Sequence, residues 1–300
     1  MKAALKIIQL LVLLSTLVTG CADPNFLDKT QVISNLIKGE KVQPGSPLSK
    51  NVVLIALQLE VKKESVNIFG ICSGAVIGPR TILTAAHCLE NGTNKMRVIL
   101  DVNPRFQLQA KNIYQVVDAV AHPDYKSLSE VLDLEDKKQN ADLAILYLDR
   151  DIESGEPTIL VDKAKTEKQP SLLSLTLTGF GRTTALKNTS NIPLSELNGQ
   201  LKKANLSIYT EILKPEYFEV NQSETSGICN GDSGSPVFIN IKEKSYLFAM
   251  AVGTYRIHKS DENVLEQNKY TDCAGTGVFV NLQNYTGWIK ETMTTLRYRN

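Results

Sequence analysis

Gly231-Asp232-Ser233-Gly234-Ser235-Pro236 is the stretch on which the reading of this chain turns. Small residues on either side of Ser233 leave its hydroxyl and the local backbone amides open to a substrate. Taken alone, a Gly-Ser turn is ordinary. Upstream, Asn140-Ala141-Asp142-Leu143-Ala144-Ile145-Leu146 sets an aspartate at the entry of an apolar strand. Further upstream, Leu83-Thr84-Ala85-Ala86-His87-Cys88 ends a β-like run on a histidine beside a cysteine. Each of these also has a plain structural reading, as a strand-entry residue or a packed histidine. Their weight comes from occurring together and in this order.

The rest of the chain is consistent with a β fold. Short apolar runs bounded by turns recur at Val52 to Leu59, Ala75 to Ile77, Thr81 to Ala85, Met96 to Leu100, Ile113 to Val120 and Leu143 to Leu148. The second half repeats the style at Leu172 to Thr178, Leu201 to Ile208, Val237 to Ile241, Tyr246 to Val252 and Gly277 to Val280. No ten-residue helical pattern alternates with them, which argues for barrels or sandwiches. The exception is the C-terminus. There Tyr285, Trp288, Ile289, Thr292, Met293 and Leu296 fall at helical spacing, with Thr286 as the expected cap. Lys163 to Gln169, followed by Pro170, reads as a linker between two halves, and the charged stretch Ser127 to Asn140 as a solvated loop.

Composition excludes several classes. The chain has 300 residues, 42% of them hydrophobic, so a real core is affordable and disorder is not the main state. With 33 Lys+Arg against 32 Asp+Glu, the net charge of +1 supplies no basic field for a nucleic-acid partner. No Cys/His cluster has zinc spacing, and neither a metal nor an organic cofactor is expected. The five cysteines are an odd number, so at least one is outside any internal disulfide.

Lys2 and Lys6 precede an apolar run from Ile7 to Val18, too short to span a bilayer, which takes about 20 residues. It reads as an export signal over residues 1–20. Val18-Thr19-Gly20-Cys21 resembles a bacterial lipobox, which would make Cys21 a lipidated first residue and residues 21–36 a tether or pro-segment. The alternative is an ordinary cleavage near Gly20 that leaves a free thiol. Later runs never approach 18 apolar residues, so contact with a membrane is expected only through that lipid. The expected location is the cell envelope, or outside the cell after cleavage of the pro-segment. Five Asn-x-Ser/Thr sites begin at Asn91, Asn188, Asn205, Asn221 and Asn284, and the lipobox reading leaves them unused.

The three blocks together resemble the trypsin-like, chymotrypsin-fold serine proteases, whose catalytic residues run His, Asp, Ser along the chain. Cys72-Ser73-Gly74-Ala75-Val76-Ile77, His122-Pro123-Asp124-Tyr125, Thr178-Gly179-Phe180-Gly181 and Trp288-Ile289 extend the likeness over most of the sequence, with Phe180 where tryptophan is usual. The resemblance implies an all-β protease domain over residues 37–300. It would hold two six-stranded antiparallel Greek-key barrels, at about 37–165 and 166–284, and a C-terminal α-helix at about 285–297. It implies His87 as general base and acid, Asp142 as its orienting partner, Ser233 as nucleophile, and the N–H groups of Gly231 and Ser233 as the oxyanion hole. It also implies disulfides Cys72–Cys88 and Cys229–Cys273, protein or peptide substrates, and a monomer. The remaining histidines, His122 and His258, are expected at the surface.

Family habit further implies a zymogen. Ile37-Lys38-Gly39-Glu40-Lys41-Val42 resembles the usual new N-terminus, so cleavage after Leu36 would free an Ile37 ammonium to pair with Asp232. The specificity pocket maps to Gly227 at its base and Gly253 and Gly277 in its walls, with Ile228 narrowing its apolar floor. A glycine at the base removes the charge partner for Arg or Lys, so cleavage is expected after medium or large apolar residues. One departure is Ala251, where the family usually has a serine bonded to the triad aspartate. The competing readings are an inactive homologue used as a binding module and an esterase with the same triad.

Overall fold

The computed structural model describes residues 39–62, 65–104, 108–127, 140–166, 171–182, 199–209, 212–222, 226–255, 273 and 275–299. Cys21, Ile37, His258 and most of the charged stretch after Ser127 lie outside them.

Six strands close the first barrel: β2 (Val52–Lys62), β3 (Ser65–Gly78), β4 (Thr81–Thr84), β5 (Arg97–Ile99), β6 (Ile113–Ala121) and β7 (Ala144–Leu148). Their order around the barrel is β2-β3-β4-β7-β6-β5, all antiparallel. β5 returns beside β2 after the β2-β3-β4 meander, which is a Greek key. The second sheet contains β8 (Leu172–Gly179), β9 (Lys202–Tyr209), β10 (Tyr217–Asn221), β11 (Pro236–Ile241), β12 (Lys244–Tyr255) and β13 (Thr276–Asn281). A seventh strand, the two-residue β1 (Glu40–Lys41), extends its edge, in the order β1-β9-β8-β11-β12-β13-β10. The chain is therefore all-β, with two barrel-like sheets of six and seven strands and a short C-terminal helix.

The reasons are local. β9 alternates strictly from Lys203 onward, with Ala204, Leu206 and Ile208 buried and Asn205, Ser207 and Tyr209 turned out, the period of a half-buried strand. β2 instead starts as an unbroken apolar run, because both of its faces are covered. Val53 and Ile55 face the interior cluster of the first barrel, while Val52, Leu54 and Ala56 join a second cluster with Phe238, Leu247, Met250 and Val280 of the other sheet. That shared cluster lies between the barrels, where the site is built. Each fully buried Leu, Ile or Phe there contributes about 1.5–3 kcal/mol relative to exposure.

Among the described residues two short helices, α1 (Pro47–Asn51) and α2 (Lys163–Thr166), precede the C-terminal α3 (Thr286–Arg299). The linker expected at Lys163 to Gln169 thus begins as a helical turn, and its buried Thr166 accepts from the Gln283 side chain at 2.5 Å. Ile289, Thr292 and Leu296 of α3 are buried against the inter-barrel cluster, with Trp288 and Met293 packed at its margin. Thr286 is the first helical residue, and its hydroxyl donates back to the Gln283 carbonyl. His122 corrects the surface expectation. It is 9% exposed, accepts the Asp124 N–H on Nδ1, and packs against the rings of Tyr285 and Trp288. Burial lowers its pKa, so it serves as a neutral core side chain.

Candidate active site

β4 and β7 are antiparallel neighbours, with Thr84 opposite Ala144. The residues just beyond the end of β4 and just before the start of β7 therefore emerge at the same rim. His87 occupies a 3₁₀ turn, Ala86–Leu89, after β4, and Asp142 stands two residues before β7. The Asp142 carboxylate engages His87 at two points. One oxygen takes the His87 backbone N–H at 2.9 Å, and the other lies 2.7 Å from ring Nδ1. Asp142 is held there by its neighbour. The Asn140 side chain exchanges two hydrogen bonds with the Lys126 backbone, and the Asp142 N–H donates to the Asn140 carbonyl.

Ser233 belongs to the other sheet, in the turn that enters β11, yet Ser73 of β3 ties this turn to the first barrel. The Ser73 N–H donates to the Ser233 carbonyl at 2.7 Å, and its hydroxyl donates to the Gly231 carbonyl and accepts from the Phe180 N–H. Gly231 and Gly234 have φ of +98° and +76°, values that favour glycine. A side chain at Gly234 would come within 2.9 Å of the Ala85 nitrogen, two residues before His87. The tight turn is thus what brings Ser233 to the histidine's segment.

The same turn leaves two amides without a hydrogen-bond partner among the described residues. Asp232 donates to the Cys229 carbonyl, Gly234 to Ala251 and Ser235 to Asp232, but among the described residues no acceptor meets the N–H of Gly231 or Ser233. A pair of adjacent open donors beside a serine is suited to binding a developing oxyanion. Ala251 supplies only backbone bonds here, donating to the Ser235 carbonyl.

Asp232 is fully buried. Burial pushes its carboxyl from 3.8 up to about 7, against the opposing pull of the Cys229 and Gly181 N–H groups, the Ser235 hydroxyl and the Lys202 charge. Cys72–Cys88 and Cys229–Cys273 are both bonded. They close loops of 16 and 44 residues, for which the chain-entropy estimate is roughly 3 and 4 kcal/mol. Cys72, His87 and Cys88 bring their ligand atoms within 4.8 Å of one another, but the bridge consumes both sulfurs, so this cluster is no metal site.

A family model described as Trypsin matches residues 45–289. The chain belongs to the trypsin family. Among its relatives, kallikrein 1-related peptidase b27 of Mus musculus is 28% identical over 237 residues, covering 74% of this chain and 80% of that protein. Granzyme F of Mus musculus is 26% identical over 239 residues, covering 75% and 80%. A CLIP domain-containing serine protease B15 of Anopheles gambiae is 24% identical over 246 residues, covering 76% and 62%. Membership makes the chain a serine-type endopeptidase acting on proteins or peptides. These relatives are animal proteins and give no support to a bacterial lipoprotein type.

The residues expected to form the specificity pocket fall in two groups. Among the described residues nothing approaches the side-chain face of Gly253, whereas Gly227 and Gly277 both abut the buried Gln222. Ile228 is buried in the second-sheet core. Sequence reading passed over Ser73, Thr84, Lys202 and Gln222. Ser73 sits inside a quoted block, but nothing in its residue type marks it as the tie between barrels.

Proposed function

We propose that this trypsin-family chain cleaves peptide bonds through His87, Asp142 and Ser233. The double engagement of His87 by the Asp142 carboxylate carries this reading. With Nδ1–H committed to Asp142, the ring presents Nε2 as the base that takes the Ser233 proton as Oγ attacks the carbonyl. The same nitrogen returns that proton to the leaving amine. Water then repeats the sequence in reverse on the acyl-enzyme. The N–H groups of Gly231 and Ser233 hold the oxyanion in both steps.

Cleavage is after uncharged apolar residues. Gly227 at the pocket base offers no carboxylate, and an unpaired Lys or Arg charge loses its hydration there without compensation. A peptide library is expected to show Arg and Lys among the slowest residues at the cleaved position, and a library dominated by either refutes the assignment.

The mature protease starts at Ile37, after an export signal over residues 1–20 and a pro-segment at 21–36 proposed to carry a lipid on Cys21. Two disulfides suit an oxidising compartment. β1 pairs Glu40 and Lys41 with Lys203 and Lys202, and Lys202 is the charge that acts on Asp232. Ile37 lies three residues before Glu40, a chain length of at most about 10 Å, which supports its ammonium reaching Asp232. Cleavage would also release the domain from any lipid on Cys21.

This has a pH consequence. Between about 4 and 7 the unfolded chain has lost the Asp232 proton while the folded, uncleaved chain keeps it. Rising pH therefore costs the uncleaved protein stability, roughly 4 kcal/mol across that window. An Ile37 ammonium lowers this pKa and flattens the slope. Thermal midpoints of the uncleaved form are expected to fall more steeply over this range than those of the cleaved form. Equal slopes, or full activity in protein whose N-terminus is residue 21, contradict the activation scheme.

A further inference from the structure

Gly227 and Gly277, expected at the base and in one wall of the specificity pocket, do not face empty space. Gln222, one residue past β10, is fully buried, and its side chain lies where both missing side chains would point. A Cβ on Gly227 would stand 2.2 Å from the Gln222 amide carbon, and one on Gly277 would stand 2.3 Å from its Oε1. Gly253, by contrast, has nothing within 4 Å among the described residues. The space beneath Gly227 and Gly277 is therefore filled.

Gln222 is also fixed in place. Its side-chain NH₂ donates to the carbonyls of Ile228 at 3.0 Å and Cys273 at 2.9 Å, and its Oε1 accepts the Ile228 N–H at 2.7 Å. Its own N–H donates to the Gly275 carbonyl at 2.9 Å. Both amide donors are used, so the side chain cannot swing aside without leaving buried polar groups unpaired. These bonds join the pocket base, the Cys229–Cys273 bridge and the segment leading into β13.

We propose that Gln222 is the floor of the specificity pocket and restricts the residue before the cleaved bond to short uncharged side chains, Ala, Val and Leu, over Phe, Tyr and Trp. This deepens the protease reading and rests on it. An aromatic ring must displace a close-packed, three-times-bonded amide, and interiors tolerate such overpacking poorly. Ala, Val and Leu reach less far and leave the amide where it is. Gln222, itself fully buried, limits the depth of the pocket and meets no reacting atom, so it sets specificity and does not take part in catalysis.

The test is kcat/KM of the processed protein on one peptide varied at this position through Ala, Val, Leu, Phe and Tyr. The wild type is expected to favour Leu over Phe by on the order of 10-fold or more, the scale on which pocket shape discriminates. Gln222→Ala removes the floor and is expected to shift the Phe/Leu ratio towards Phe by a similar factor. Gln222→Met fills the same volume without the hydrogen bonds and is expected to keep the Leu preference, which separates volume from loss of bonding. Should Gln222→Ala fail to fold, the wild-type and Gln222→Met profiles still decide. A wild type fastest on Phe or Tyr overturns the floor while leaving the protease reading intact. No hydrolysis of any peptide and no fluorophosphonate label on Ser233 overturn both.

Discussion

Ser233→Ala is expected to lower kcat by about 10⁶-fold while leaving the fold and peptide binding intact. In the proposed mechanism the removed Oγ is the atom that bonds to the substrate carbonyl, and the other hydroxyl of the turn, that of Ser235, is directed to Asp232. What remains is the oxyanion hole and binding, which in such enzymes still give about 10³–10⁴ over the uncatalysed rate. The hydroxyl makes none of the bonds that hold this turn. Those run through the Ser233 carbonyl to Ser73, through the Gly231 carbonyl to the Ser73 hydroxyl, and through Gly234 to Ala251. The variant's melting temperature should therefore be close to that of the wild type. A variant that keeps a tenth of the turnover contradicts the assignment of Ser233.

Asp142→Asn carries the second largest effect, a loss of about 10⁴ in turnover. The substitution conserves shape, and an amide oxygen can still accept the His87 backbone N–H. The position facing Nδ1 then becomes an NH₂ donor, which stabilises the tautomer protonated on Nε2. That nitrogen can no longer accept the Ser233 proton. The expected signature is a fall in kcat far larger than any rise in KM, with partial recovery at high pH where the serine needs less help. Among the described residues, the bonds that position Asp142 run to His87 and to its own loop through Asn140. Asn140→Ala, which cuts the two bonds to Lys126, is a direct way to see that loop's share.

Much of this arrangement was legible in the sequence, and the reasons are physical. The strands that read clearly, such as Leu201 to Ile208, alternate apolar and polar residues because one face packs and the other meets water. Val52 to Leu59 read clearly for the opposite reason, being apolar on both faces between two cores. β10 was not read: Tyr217 to Asn221 is short and carries Glu219, so neither period nor composition sets it apart from a loop. The first half of β3 was missed because Ser65, Asn67 and Gly70 interrupt its apolar positions. β1 is too short for any periodicity and exists only through its pairing with β9.

The site divides in the same way. His87, Asp142 and Ser233 stand in local blocks whose small neighbours leave a trace in the sequence. The disulfide partners followed from the family likeness, and the structure bonds the same pairs. Gln222 left no trace, since its role depends on the approach of three segments remote in the chain. His122 was misjudged for a related reason. The rings of Tyr285 and Trp288 that bury it lie at the far end of the sequence.

The central claim is that Ser233 is an activated nucleophile, and a fluorophosphonate probe tests it most directly. Treated with the probe, the processed protein is expected to gain a single adduct that peptide mass spectrometry places on Ser233, with labelling lost in Ser233→Ala and His87→Ala. Processed, folded protein that takes up no label, or takes it up at another residue, would contradict the account.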